Sequence, residues 1–188
     1  MSAAAVSDAQ LIARVLVQDD RHAFGELVRR HQSAVRACLR KLAGGNHALA
    51  DDLAQETFLL AYRNLKSFRQ EAKFSTWLYR IAYNAFLADL RKTKELPLPD
   101  DEDADDVAAS ADTVAPVART AALSVDLQRA MAVLSDAERA AIVQCYHNDL
   151  SHEEAAFVLG CPVGTVKTHI LRAKQKLKAR LGAWVPEG

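Results

Sequence analysis

Apolar residues between positions 11 and 39 recur mostly at intervals of three or four, the spacing that places side chains on one face of an α-helix. The repeat is formed by Leu11, Val15, Phe24, Leu27, Val28, Val35 and Leu39. It predicts two amphipathic helices, and Gly44, Gly45 and Asn46 are expected to end the second. The same periodicity predicts further helices in residues 51–65 and in residues 74–92.

Two signals for the start of a helix follow after residue 134. In each, a Ser stands three positions before a Glu, the spacing of a capping box in which the two side chains satisfy free backbone amides. The pairs are Ser135 with Glu138 and Ser151 with Glu154. Helices are therefore predicted to begin near residues 136 and 152.

The segment LGCPVGTVKTHILRAKQKL, residues 159–177, has the order of a short helix, a tight turn and a longer helix. Gly160 is predicted to end the short helix in a left-handed conformation, and Pro162 fits the first position of the next helix. The apolar stripe of that longer helix comprises Val166, Ile170, Ala173, Leu177 and Leu181. This order predicts a helix-turn-helix, whose second helix enters the major groove of DNA.

The polar side of the longer helix is basic. Its candidate DNA-binding residues are Thr165, Lys167, Thr168, His169, Arg172 and Lys174. No acidic residue occurs between Ala155 and Pro186. Such a surface suits phosphate groups. For a lone helix a solvated basic face would be the simpler interpretation, but the preceding capped helix and turn favour DNA binding.

The composition favours helices. Of 188 residues, 50% are hydrophobic, whereas 7 are Gly and 5 are Pro, so a turn-rich β fold is disfavoured. Residues 96–122 combine prolines with an acidic cluster and lack large apolar periodicity, which is typical of a flexible linker. We therefore predict an all-α protein with two small helical domains, residues 1–95 and 123–188. A flexible acidic linker joins them, and the second domain contains the helix-turn-helix.

The formal net charge of zero conceals a segregation of charge along the chain. Residues 1–94 contain 15 basic and 9 acidic residues, residues 95–126 contain 1 and 9, and residues 127–188 contain 8 and 6. Two basic blocks joined by an acidic one predict surfaces for an anionic partner.

Aromatic and basic residues alternate in the fourth predicted helix. The aromatic residues are Trp77, Tyr79, Tyr83 and Phe86, and the basic ones are Arg80, Arg91, Lys92 and Lys94. This mixture suits single-stranded nucleic acid, because bases stack on the rings while the cations neutralise phosphates. Aromatic residues at helical spacing are nevertheless more often part of a core, so both interpretations stay open at this point.

Several classes of function lack a signal in the sequence. The amino terminus has neither the basic start nor the apolar core of a signal peptide, and no stretch approaches the ~20 apolar residues of a membrane span, so we expect a cytoplasmic protein. Cys38, Cys145 and Cys161 are expected to remain thiols. His and Cys residues show no zinc-ligand spacing, and no catalytic constellation is recognisable. We expect no enzymatic activity, metal or cofactor, and keep a thiol or zinc redox sensor as one alternative.

These motifs resemble those of the extracytoplasmic-function (ECF) sigma factors of bacterial RNA polymerase. DDLAQETFLLAYRNL resembles the core-polymerase-binding helix of the family, and FSTWLYRIAYNAFLADLRK resembles its promoter-melting helix. LSHEEAAFVLGCPVGTVKTHILRAKQKL is similar to the helix-turn-helix that reads the upstream promoter element. The resemblance implies a subunit without catalytic activity that binds core polymerase and directs promoter recognition and transcription initiation.

The resemblance also implies where function resides. The residues expected to meet the β′ clamp of core polymerase are Asp52, Gln55 and Glu56. Those expected in the loop that captures an extruded base of the downstream promoter element are Asn64, Ser67 and Phe68, followed on the melting helix by Trp77, Arg80, Tyr83 and Asn84. Tyr83 stands where the family often has Arg, and Ala155-Ala156 replaces the commoner Ile-Ala, so promoter preference stays open.

The implied partners are core RNA polymerase, at its β′ clamp and β flap, and promoter DNA, both as duplex and as a melted strand. The acidic linker would run through polymerase channels used by nucleic acid. An anti-sigma factor is a common partner in the family and is plausible here. The alternative from another class is a stand-alone helix-turn-helix regulator that binds operators as a dimer and has no affinity for polymerase.

Overall fold

The computed structural model describes residues 6–95 and 129–182, and the predicted linker over 96–122 lies outside these residues. The described elements are α1 (Asp8–Gln18), α2 (Arg21–Leu42), α3 (His47–Asn64), a 3₁₀ turn (Leu65–Ser67), α4 (Phe74–Glu95), α5 (Asp136–Ile142), a π-helical turn (Val143–His147), α6 (His152–Leu159) and α7 (Val163–Gly182). No strand occurs in this part of the chain. The prediction of an all-α fold is confirmed.

Side-chain caps determine where the first three helices begin. Ser7 and Gln10 form a capping box at α1, a pair that the sequence analysis did not identify. Asp20 accepts a hydrogen bond from the Ala23 amide at 3.0 Å at the start of α2, and Asn46 caps α3 in the same way. Each cap satisfies a backbone donor that the first helical turn leaves free.

Helices α1 to α4, the amino-terminal half, bury one apolar core. Its fully buried large side chains include Leu27, Leu39, Leu42, Leu65 and Leu78. Burying one such side chain stabilises the fold by about 1.5–3 kcal/mol, so this core is the main reason why the four helices pack together.

The carboxy-terminal half, α5 to α7, follows its predicted local signals closely. Both capping boxes are present, with Ser135 and Glu138 at α5 and Ser151 and Glu154 at α6. Gly160 ends α6 with φ 65°, the left-handed conformation that glycine adopts without a Cβ penalty. The last helix begins at Val163, so the residue before it, Pro162, precedes the helix and does not occupy its first position as predicted.

The two halves pack against each other. Helix α6 lies against α4, and α5 with the π-helical turn lies against α2. The Asn148 side-chain amide donates a hydrogen bond to the Cys38 sulfur at 3.2 Å, and Arg139 Nη1 donates one to the Leu42 carbonyl at 3.3 Å. Buried residues of both halves therefore form one continuous core cluster. The sequence analysis did not predict this contact.

Candidate nucleic-acid and polymerase interfaces

Helix α7 presents a polar, basic face to solvent. Lys167, Thr168, Arg172 and Lys174 are exposed. Thr165 and His169 are half-buried beside them, so the structure brings the six candidate DNA-binding residues together on one helix. Because this helix follows the α6 turn as the second helix of the predicted helix-turn-helix, its basic face has the geometry of a recognition surface.

The opposite side of α7 is anchored in the carboxy-terminal half. Val166, Ile170 and Ala173 are buried, as the apolar stripe predicted. Lys176 Nζ donates a hydrogen bond to the Glu138 carboxylate at 2.8 Å, and this bond holds the pKa of Glu138 below its usual range. Lys176 therefore stabilises the packing of α7 against α5. The Lys167 and Arg172 side chains, in contrast, are exposed to solvent.

The loop after α3 and the start of α4 form an aromatic cluster. The Phe68 ring lies 5.2 Å from the Trp77 ring and 5.5 Å from the Phe74 ring, measured between centroids. Phe68 and Trp77 are both half-buried. Asn64 and Ser67 lie just before them and are exposed, and Ser67 Oγ donates to the Asn64 carbonyl at 2.7 Å. The structure thus joins the predicted base-capture loop to the first turn of α4.

The remaining predicted residues of α4 do not share one free surface. Asn84 is exposed, but the Arg80 guanidinium lies over the Phe157 ring of α6, 4.5 Å from its centroid. Tyr83 is 7% exposed, and burial, together with the nearby Cys161 thiol and Asp136, raises the pKa of its hydroxyl. The half-buried Phe157 therefore covers part of the predicted single-strand surface.

Besides the buried Phe74, α4 carries the four aromatic residues with two open interpretations, and three of these four belong to the core. Tyr79, Tyr83 and Phe86 are buried, so the core interpretation holds for them in this structure. Trp77, the fourth, keeps part of its ring accessible beside Phe68. Both interpretations of the aromatic helix therefore apply, each to different residues.

A groove of about 670 Å³ lies between α2 and α3, and its lining includes Phe24, Gln55, Phe58 and Leu59.

Helix α3 exposes the three residues predicted to bind core polymerase. Asp52, Gln55 and Glu56 are all exposed, and their spacing places them on one face of the helix. Leu59 continues the same face and is 60% exposed. The sequence analysis did not name Leu59, although its position three residues after Glu56 predicts the same helical face.

Thiol and metal chemistry have little basis in the geometry. Burial raises the pKa of Cys145 and Cys161, and it raises that of Cys38 to about 11 although Asn148 and Gln144 donate hydrogen bonds to its sulfur. A higher pKa reduces the thiolate fraction on which cysteine reactivity depends. Within residues 6–95 and 129–182, no three His, Cys, Asp or Glu side chains form a group that could hold a metal ion.

Among the described residues, none of the helices combines the length and the apolarity needed to cross a membrane.

Known families match both halves of the chain. Residues 27–96 match the family described as Sigma-70 region 2, and residues 124–177 match Sigma-70, region 4. Over 179 residues the chain is 39% identical to the ECF RNA polymerase sigma factor SigM of Mycobacterium tuberculosis, covering 94% of this chain and 85% of that protein.

Solved structures agree with the sequence matches. The structure of CnrH in complex with the cytosolic domain of CnrY is 30% identical, has a TM-score of 0.68 and covers 94% of this chain and 97% of that one. The sigma factor RpoE from Bartonella quintana, in complex with the anti-sigma factor NepR, is 26% identical with a TM-score of 0.64, covering 85% and 96%.

Together, the two family matches define a sigma-70-type factor. Within this class, the chain is 39% identical to the ECF sigma factor SigM over 94% of its own length. The chain therefore belongs to the ECF sigma factors of bacterial RNA polymerase. It is therefore a DNA-binding transcription factor of the initiation step, as the resemblance implied.

Proposed function

We propose that this sigma factor binds core RNA polymerase through α3, reads the upstream promoter element with α7, and holds the melted downstream element with α4 and the loop before it. The observation that carries the proposal is the exposed basic face of α7, whose apolar side is buried in its own half of the molecule. A helix held in this way can enter the major groove without losing its packing.

On α7, the early residues are the candidates for contact with base edges. Thr165, Thr168 and His169 lie in the first two turns, and Lys167 and Arg172 are placed for contacts with phosphates or guanine. The His169 Nδ1 atom is buried without a hydrogen-bond partner among the described residues, which leaves Nε2 as the ring atom for an outside partner. We propose that these residues set the upstream sequence preference.

On α4, Trp77 and Phe68 provide the stacking surface for the melted strand. Extruding a base from the duplex costs a few kcal/mol, and stacking on an aromatic ring offsets about 1–3 kcal/mol of that cost. The partly accessible Trp77 ring lies beside the capture loop, and Asn84 lies two turns further along the helix. Asn64 and Ser67 add hydrogen-bonding groups at the loop.

Full use of α4 requires α6 to move away. Arg80 lies against Phe157, and Lys73 Nζ lies 3.8 Å from a Glu154 carboxylate oxygen. These two contacts hold α6 against the start and the middle of α4. We propose that polymerase binding separates the two halves of the sigma factor, which act as the two domains predicted from the sequence, and thereby frees Arg80 for the melted strand.

The proposal is tested first through polymerase binding. Co-elution of the full chain with bacterial core RNA polymerase is compared with that of the double variant Asp52→Arg, Glu56→Arg. We expect a stoichiometric complex for the wild type and none for the variant, because acids on an exposed helix suit a basic partner. A matched control, Glu71→Arg with Glu153→Arg, makes the same charge change at exposed acids elsewhere and should still bind.

The outcome distinguishes the proposal from the alternative. If neither the wild type nor the control binds polymerase, the stand-alone regulator becomes the better interpretation. If both double variants bind as well as the wild type, the α3 contact is wrong while the sigma function stands. An anti-sigma factor is a further expected partner in the cytoplasm, since the related RpoE forms a complex with the anti-sigma factor NepR.

A further inference from the structure

A cavity of about 550 Å³ lies between the two halves, and the proposed DNA-binding residues do not line it. One wall comes from the end of α2 and the turn into α3, and the other from α5 and the π-helical turn. Cavities of this size are typical of small-molecule sites. The proposed sigma function does not use this cavity.

The lining of the cavity is basic. Arg40, Lys41 and His47 come from the amino-terminal half, and Arg139 and His147 come from the carboxy-terminal half. The lining contains no acidic side chain. Like charges brought together in one partly enclosed space favour an anionic ligand, because each addition of positive charge raises the potential there.

Two of these basic groups have unused hydrogen-bond donors. Arg40 Nη2 lies 3.4 Å from an Asp51 oxygen, and Arg139 donates through Nη1 and Nη2 to the carbonyls of Leu42 and Met131. The Nε atoms of both arginines are buried and lack a partner among the described residues. A guanidinium carries five N–H donors, so both arginines keep Nη donors for a ligand oxygen in the cavity, whereas the buried Nε atoms are closed off from it.

Nearby carboxylates cancel only part of this charge. Asp51 accepts a hydrogen bond from Arg40, and an Asp136 oxygen lies 3.9 Å from Arg139 Nη1. Lys41 has no ion pair with a described residue, and it lies close enough to His147 for its charge, in addition to burial, to lower the pKa of that imidazole. The site therefore keeps a positive charge beside a histidine whose pKa is lowered, and a bound anion would shift that pKa back upward.

The remainder of the cavity is apolar. Met131, Ile142 and Val143 contribute to its lining, and Tyr146 stands at its side with 58% of its surface exposed. The Lys174 ammonium lies 5.0 Å from the centroid of the Tyr146 ring and covers one of its faces. A flat ring system could pack against this apolar surface while a charged group reaches the arginines.

We propose that this cavity binds a nucleoside phosphate or a small molecule of the same chemistry. Its phosphate groups contact Arg40, Lys41 and Arg139, and its base packs against Tyr146 and the apolar wall. Because the lining comes from both halves, the ligand binds the packed arrangement more tightly than a separated one, and by linkage it opposes the separation that α4 requires. The cavity is thus a site through which a metabolite would restrain the sigma factor.

Calorimetric titration of the full chain tests the site, with ATP, inorganic tripolyphosphate and adenosine as probes. We expect saturable binding of ATP and weaker binding of tripolyphosphate and adenosine, since each carries one half of the recognised chemistry. Lys41→Glu should weaken ATP binding by at least about tenfold, because a repulsive charge replaces an attractive one. Tyr146→Ala should weaken ATP and adenosine but leave tripolyphosphate unchanged.

Nucleotides also bind to DNA-binding surfaces, so Arg172→Glu on α7 is the matched control. Its affinity for ATP should equal that of the wild type. The proposal is wrong if ATP shows no saturable binding, or if Arg172→Glu abolishes binding while Lys41→Glu does not.

The reaction rate of the buried Cys38 thiol provides a second measure of how tightly the two halves pack together. It lies between the halves and accepts hydrogen bonds from Asn148 and Gln144. ATP should slow the reaction of Cys38 with a thiol reagent in a variant in which Cys145 and Cys161 are replaced by Ser. An unchanged or faster reaction at saturating ATP would show that the ligand does not bridge the two halves, and would overturn the bridging site.

Discussion

The two candidate DNA-binding surfaces differ in how much of them is accessible. On α7, Lys167 and Arg172 are exposed. On α4, in contrast, the Arg80 guanidinium lies over the Phe157 ring of α6. The face of α7 is available because its other side packs within its own half. The corresponding side of α4 is partly covered by the other half. Under the proposed function, duplex recognition by α7 therefore needs no rearrangement, while capture of the melted strand by α4 does.

This difference fits the order of events in promoter opening. In the proposed function the upstream element is read as a duplex, and the downstream strand becomes available only after melting. A sigma factor in which α6 covers Arg80 would not hold single strands before polymerase is bound. Four predictions test this comparison.

The largest effect is expected on α7. The double variant Lys167→Glu, Arg172→Glu should weaken binding to upstream-element duplex by more than about tenfold at low salt and flatten the salt dependence by about one unit of slope per lost contact. Fluorescence anisotropy across a salt series measures both quantities. The control variant Arg29→Glu, Arg63→Glu reverses two exposed charges of the amino-terminal half. Its affinity for the duplex and the salt dependence of that affinity should equal those of the wild type. An unaltered slope in the α7 variant would mean that another face contacts DNA.

The next effect concerns Trp77. Trp77→Ala should slow promoter opening by about tenfold, because one stacked base contributes about 1–3 kcal/mol, while affinity for core polymerase changes little. Fluorescence of 2-aminopurine in the melted region reports opening, and Trp77→Phe should retain much of it. Equal losses in opening and in polymerase binding would show that Trp77 acts only through the aromatic cluster with Phe68 and Phe74.

A smaller effect is expected from loosening the contact between the halves. Phe157→Ala removes the cation-π contact with Arg80, worth about 1 kcal/mol, so binding of a single-stranded downstream oligonucleotide should improve by about fivefold. Cys38 should also react faster with a thiol reagent. Phe157→Tyr keeps the aromatic face and serves as the control. If oligonucleotide binding and Cys38 reactivity of Phe157→Ala both match those of the wild type, α6 does not restrict access to α4.

The smallest effect concerns the anchoring of α7 by Glu138. Glu138→Gln keeps the cap at Ser135 but loses the ion pair with Lys176, at a cost of about 1 kcal/mol of unfolding free energy at neutral pH. Since the pKa of Glu138 is lowered in the folded state, its stabilisation is full above the ordinary glutamate range and disappears as the pH falls through the folded-state value. Urea unfolding of both proteins should therefore differ at pH 7 and converge in acid. A gap that is independent of pH would contradict the ion-pair explanation.

Much of the carboxy-terminal half could be predicted from the sequence. Ser135, Ser151 and Gly160 mark helix ends through contacts with residues three or four positions away, so local spacing was sufficient. The acidic face of α3 was likewise predictable from helical spacing, since its three residues are exposed as expected. Family resemblance supplied the proposed roles of these residues, and the family matches show that the chain is a sigma factor.

The sequence by itself determined the helical elements, their caps and the basic stripe of α7, because these depend on interactions between residues close together in the chain. Only the tertiary structure decided which aromatic residues of α4 are buried and that α6 covers Arg80. Tyr83 and Trp77 share one helix and similar chemistry, yet Tyr83 is buried and Trp77 is partly accessible. Helical periodicity places a residue on a face, but whether a partner covers that face depends on segments far away in the sequence.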